Sequence, residues 1–172
     1  MNACVFLDRD GVINRDNPNY TFCAEDFEIL PGVTDALRLL KSRGYLLVVV
    51  TNQSGIAQGL YTREQMDSCH LFFQRQSGNL IDQFYFSPDH PSVSASLSRK
   101  PGTLLFEKAI AKFHIDVKKS WMIGDRGRDI IPARTIGIKT IQVGDDIDEN
   151  EKADYRVSDL IEASRIILGN AH

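Results

Sequence analysis

Apolar residues in this chain fall into short dense runs, and each run is followed by a stretch with helical spacing. Ala3–Leu7 is unbroken apolar and stops at Asp8. A run this short, ended by a polar turn, reads as a strand buried on both faces. A polar segment with no period follows, "NRDNPNYTFCAED". "PGVTDALRLLKSRG" then reads as a helix: Pro31 suits its first position, Val33, Leu37 and Leu40 form the buried stripe, and Gly44 suits its end. Tyr45–Val50 is almost all bulky or β-branched, which places it inside a parallel sheet.

The alternation continues. Thr62 and Gln65 have the spacing of a capping box, opening a helix to about Gln76. Ile81–Phe86 reads as a third strand and Pro101–Phe113 as a helix. "SWMIG" reads as a fourth strand, Asp129–Ile136 as a short helix, "KTIQV" as a fifth strand and Ser158–Leu168 as a last helix. Strands alternating with helices mean βαβ crossovers. The expected fold is α/β: a three-layer αβα arrangement around an open parallel sheet of about five strands.

Composition narrows the classes. The 172 residues suit one domain, 1–172, with 42% hydrophobic and 25% charged residues and a formal net charge of −3. That excludes a disordered chain and argues against nucleic acid as a partner, which would call for a basic face. No apolar run reaches the ~18 residues of a membrane span, and Asp8 interrupts the only apolar stretch near the start, so neither membrane nor leader is expected. Cys4, Cys23 and Cys69 are odd in number and widely spaced, which suits free thiols and a cytoplasmic location.

In open α/β sheets, ligands bind beyond the carboxyl ends of the strands. Those ends carry the chemistry here. Asp8 and Asp10 follow the first strand, Thr51, Asn52, Gln53 and Ser54 the second, Arg99 and Lys100 the loop after the third, and Asp125, Arg126 and Asp129 the fourth. The Asp8/Asp10 pair suits either a divalent metal or paired nucleophilic and acid/base roles. Asp125 adds a third carboxylate, and oxygen ligands without nearby His or Cys suit Mg²⁺. An aspartate attacking a phosphate meets like charge, roughly 4 kcal/mol for unit charges about 4 Å apart at an effective dielectric near 20. Mg²⁺ and Lys100 would cancel that repulsion. The set is therefore self-consistent for phosphoryl transfer through an aspartyl-phosphate.

These four segments, "DRDG", "TN", "RKP" and "GDRGRD", resemble the motifs of the haloacid dehalogenase (HAD) superfamily of phosphatases, in the family's order and over essentially the whole chain. The resemblance implies a Rossmann-like core. It implies Asp8 as nucleophile, Asp10 as general acid/base, Thr51 and Lys100 holding the phosphoryl group, and Asp129 in support. It implies Mg²⁺ on Asp8, the Asp10 main-chain carbonyl and Asp125. "FLDRDGVIN" and "VVVTNQSGIAQG" are similar to the heptose bisphosphate 7-phosphatase branch, with histidinol-phosphate phosphatases as near relatives and polynucleotide 3′-phosphatases sharing the architecture. That similarity implies a small sugar phosphate as partner, with no obligate protein partner, and a capless domain whose loops cover the site. Asp16, Tyr20, Asn52, Gln53, Ser54, Arg99 and Arg126 would line the substrate, although Arg126 is the residue more usual in the histidinol-phosphate enzymes. Many members of the branch hold a structural zinc through Cys and His before "RKP". Ser87, Asp89, Ser96 and Ser98 stand at those positions, so zinc is not expected. His70, His90 and His114 read as packing or surface residues.

Overall fold

The computed structural model describes residues 1–144 and 152–169. In chain order its elements are β1 (Cys4–Leu7), α1 (Val33–Ser42), β2 (Leu46–Asn52), α2 (Arg63–Ser77), β3 (Gln83–Ser87), α3 (Leu104–Phe113), a 3₁₀ turn (Val117–Lys119), β4 (Trp121–Gly124), α4 (Gly127–Thr135), β5 (Lys139–Val143), β6 (Tyr155–Val157) and α5 (Leu160–Gly169). The strands form one parallel sheet in the order β3-β2-β1-β4-β5-β6.

Side chains alternate across a strand, and the two central strands use both faces. Val5 and Leu7 of β1, with Leu47 and Val49 of β2, pack in one core with residues of α1, α2 and α5. Cys4 and Phe6, with Val48 and Val50, pack in a second core against α3 and α4. This is why the runs read from the sequence are continuously apolar: β1 and Leu47–Thr51 of β2 are buried on both faces. The register sets Phe6 beside Val48 and Met122, so the tips of β1 and β4 lie nearly level, and β2 runs on past them to Asn52 at the same edge.

The boundaries follow local chemistry. The capping box of α2 is formed, with Gln65 N donating to Thr62 Oγ1 and Thr62 N to Gln65 Oε1. Helix α1 starts later than Pro31 suggests, because Gly32 holds a left-handed conformation at its N-cap (φ 76°) and leaves Pro31 outside. Helix α4 starts earlier, at Gly127, because Asp129 accepts from the backbone N–H of Arg126 and folds that turn into the helix. The sheet has one strand beyond the five read from the sequence. The three residues of β6 are only partly buried or exposed, and no apolar run marks them.

Candidate active site

Parallel strands in level register bring four loops to one point. Asp8 follows β1 in the middle of the sheet, Thr51 and Asn52 close β2, Lys100 comes from the loop after β3, and Asp125 follows β4. Lys100 Nζ lies 2.9 Å from Asp8 Oδ1 and 2.6 Å from Asp129 Oδ1, and it donates to the Val50 carbonyl at 2.6 Å. All three charged groups are buried. Isolated buried charges are costly, so the triad holds only as a set. Burial alone would lower the Lys100 pKa; Asp129 and Asp8 hold it above its ordinary value, so the group stays an ammonium.

One lysine does not balance this corner. Asp8, Asp125 and Asp129 each bring a carboxylate oxygen within 4.8 Å of the others. Burial and the nearby Asp129 push the Asp8 carboxyl up to about 6, and burial and Asp8 push Asp125 up to about 7. Asp125 Oδ1 is buried without a hydrogen-bond partner among the described residues. Oxygen donors, surplus negative charge and an unpartnered oxygen together fit a hard divalent cation, and Mg²⁺ in particular. Gly11 makes the approach possible. It holds φ +88°, and a Cβ there would sit 2.4 Å from Asp125 Oδ2.

The Asp10 carboxylate is turned away from this cluster. Oδ1 accepts from Arg9 Nη2 and from Asn14 Nδ2, both at 2.9 Å, and Oδ2 accepts from Gln53 Nε2 at 3.0 Å. Burial works to raise its pKa, but Arg9, Asn14 and Gln53 prevail and hold it below the usual carboxylate range. Arg9 is 1% exposed and also donates to the Thr21 carbonyl at 2.9 Å. Arg9 lies outside the set read from the sequence. Its signal there was a cation inside a buried D-R-D. Gln53 does more than line a pocket: its Nε2 also donates to Thr51 Oγ1 at 3.0 Å, and its Oε1 accepts from the Tyr61 hydroxyl at 2.7 Å.

Beside this corner opens a cavity of about 220 Å³. Each residue expected at the substrate (Asp16, Tyr20, Asn52, Gln53, Ser54, Arg99 and Arg126) lines it, and Asp10 reaches it too. Arg128 also lines it, and the sequence reading left it out. Besides Gln53, further members of this set are engaged with protein. The Asn52 carboxamide binds the backbone of Lys100, and Arg126 Nη2 lies 2.8 Å from Asp16 Oδ2.

Ser87, Asp89, Ser96 and Ser98 come together before Lys100. Ser98 Oγ lies 2.9 Å from both Ser87 Oγ and Ser96 Oγ, and it donates to Asp89 Oδ2 at 3.2 Å. Arg99 Nη1 donates to the Asp89 main-chain carbonyl at 3.0 Å, so this knot aims Arg99. His70 stacks on Phe84 with ring centroids 4.3 Å apart, His90 Nδ1 pairs with Ser92 Oγ at 2.6 Å, and His114 ends α3. None of the three lines the cavity.

Comparison with known proteins shows what the chain as a whole is similar to. A family model described as "HAD-hyrolase-like" matches residues 97–163. The D-glycero-beta-D-manno-heptose-1,7-bisphosphate 7-phosphatase of Haemophilus ducreyi is 36% identical over 92% of this chain and 94% of its own length. The enzyme of the same name from Pasteurella multocida is 33% identical over 98% of both chains. A crystal structure of D,D-heptose 1.7-bisphosphate phosphatase from B. bronchiseptica, complexed with magnesium and phosphate, superposes with a TM-score of 0.87 over 99% of this chain and 100% of that one. At 24% identity that likeness speaks for the fold.

Proposed function

This chain belongs to the D-glycero-beta-D-manno-heptose-1,7-bisphosphate 7-phosphatase family of HAD-like hydrolases, and on that footing we propose that it removes the 7-phosphate of a D-glycero-D-manno-heptose 1,7-bisphosphate through an aspartyl-phosphate on Asp8. The observation that carries the reading is Lys100 held 2.9 Å from Asp8 Oδ1, with Asp125 and Asp129 within 4.8 Å of the same carboxylate. A nucleophilic carboxylate and its charge compensation stand ready in one buried place.

Asp8 attacks phosphorus and displaces the sugar oxygen, leaving the phosphoryl group on its carboxylate. Lys100 meets the phosphoryl oxygens as negative charge builds on them. Asp8, the Asp10 main-chain carbonyl and Asp125 would hold Mg²⁺, which when bound supplies Lewis-acid stabilisation of that charge. Asp10 gives a proton to the departing oxygen, then takes one from the water that cleaves the acyl phosphate. Its environment favours the ionised form, which is the form the second step needs. Arrival of the phosphate anion raises its pKa and favours the protonated form that the first step needs. Thr51, oriented by Gln53, lies beside this exchange and helps hold the phosphoryl group.

A substrate panel tests the reading. Steady-state kcat/KM is expected to be highest for heptose 1,7-bisphosphate, above histidinol phosphate, fructose 1,6-bisphosphate and a 3′-phosphorylated oligonucleotide. A higher value for histidinol phosphate would overturn the choice of substrate. Turnover that fell steeply with salt, as counterion release demands, would instead point to the oligonucleotide.

A further inference from the structure

Besides Arg9, which pairs with Asp10, three guanidinium groups line the cavity, and they differ in what already neutralises them. Arg126 is taken: Nη2 lies 2.8 Å from Asp16 Oδ2 and Nε 3.4 Å from Asp125 Oδ2. Arg99 gives one N–H to the uncharged Asp89 carbonyl. Arg128, from the first turn of α4, lines the same cavity with a buried Nε that has no hydrogen-bond partner among the described residues. Among those residues, no carboxylate reaches ion-pair distance of Arg99 or Arg128, and the charges of Asp89 on Arg99 and of Asp125 near Arg128 act from farther off. Arg99 senses its neighbour: burial first, and then the Arg128 charge, lower the Arg99 pKa.

Two like charges turned to one small cavity repel each other, and one of them keeps a buried donor unspent. They become favourable once an anion sits between them. Guanidinium forks suit phosphate oxygens, because they present parallel N–H groups to two oxygens at once. The reacting phosphate belongs at Asp8 and Lys100, neither of which lines this part of the cavity. We propose that Arg128 joins Arg99 in receiving a second, non-reacting phosphate, and that Arg128 selects bisphosphorylated over monophosphorylated substrates. This rests on reading the site as a phosphatase and adds the residue that recognises the far end. It also disfavours substrates with a cationic amine at that end. Arg126 serves differently, tying the Asp16 loop to the β4 tip through its two carboxylates.

The test compares two substrates with the same scissile phosphate, heptose 1,7-bisphosphate and heptose 7-phosphate, and reads the ratio of their kcat/KM values. Arg128→Gln is expected to lower that ratio about tenfold or more, mainly through KM, the loss anticipated for a charge-assisted contact. Arg128→Lys, which keeps a charge without the fork, is expected to recover part of it. Arg126→Gln is expected to change the ratio less than Arg128→Gln does. The proposal is overturned if Arg128→Gln leaves the ratio within about twofold of the parent, or lowers kcat equally on both substrates. Failure of the heptose reading would look different: the parent enzyme would release no phosphate from heptose bisphosphate while still hydrolysing fructose 1,6-bisphosphate. The same ratio is then read on fructose 1,6-bisphosphate against fructose 6-phosphate.

Discussion

The carboxamide of Asn52 occupies both polar groups of the Lys100 backbone: Oδ1 accepts from Lys100 N at 2.9 Å, and Nδ2 donates to Lys100 O at 3.1 Å. The last residue of β2 thus fixes the loop that delivers Lys100. The ammonium reaches Asp8 from a backbone held on both sides, and Arg99 is carried one residue earlier in the same frame.

Asn52→Ala removes both bonds without touching a charged group. It is expected to lower kcat/KM by about 10- to 100-fold, since a misplacement near 1 Å can cost that much. The folded state should lose about 1–3 kcal/mol. Steady-state kinetics with urea denaturation checks both, and native turnover in Asn52→Ala would remove the clamp from the machinery.

Lys100→Met leaves Asp8 and Asp129 buried without their counter-charge. Breaking such a set by removing one partner costs about 3–5 kcal/mol. Adding Asp129→Asn should restore part of the lost stability and none of the activity. Equal stability of the single and double variants would contradict the charge argument.

Asp8→Asn should abolish phosphate release, by about 10⁴-fold or more, as loss of a nucleophile does elsewhere. The fold should hold, because Lys100 keeps Asp129 as its counter-charge and the change removes a carboxylate crowded by Asp129. Mass spectrometry after a rapid acid quench should find a phosphorylated Asp8 peptide in the parent enzyme during turnover. Its absence, with turnover intact in the variant, would remove Asp8 from the role.

EDTA should stop the reaction and Mg²⁺ restore it. Because Asp8, Asp125 and Asp129 crowd one another, Mg²⁺ should also stabilise the fold. At a hundredfold excess over Kd the gain is about 2.7 kcal/mol, roughly 5–10 °C in Tm for a chain this size. A Tm indifferent to Mg²⁺ would count against this cluster as the binding place.

His70 makes the fold sensitive to acid. Its ring is 6% exposed, and Nε2 has no partner among the described residues. Burial, then the Arg9 charge, pushes its pKa down to about 3, whereas an unfolded chain holds it near 6.5. Between those values the unfolded state binds a proton that the folded state refuses. The stability is therefore complete above about pH 6.5 and is lost toward pH 3, by up to about 1.4 kcal/mol per pH unit. His70→Gln should flatten the fall in stability between pH 6 and pH 4. Parallel curves for the two proteins would exclude His70 as the cause.

The sequence was most legible where burial is complete on both faces of a strand. β1 and β2 declare themselves because nearly every side chain meets a core, and their final carboxylate and hydroxyl then stand out. β6 did not, since three residues at a sheet edge carry no such pattern. The cavity residues were legible by position, but their use was not. Asn52 and Gln53 line the cavity as expected, but nothing in the sequence shows that they also bind Lys100 and Asp10. Arg126 and Arg128 look alike in "GDRGRD". What separates them is Asp16, more than a hundred positions away, which meets one and not the other.

The knot of Ser87, Asp89, Ser96 and Ser98 is built from oxygen atoms alone. An oxidant finds no sulfur there to convert, and a thiol-seeking heavy metal finds no ligand to seize. The anchor that holds Arg99 is thereby insulated from oxidation.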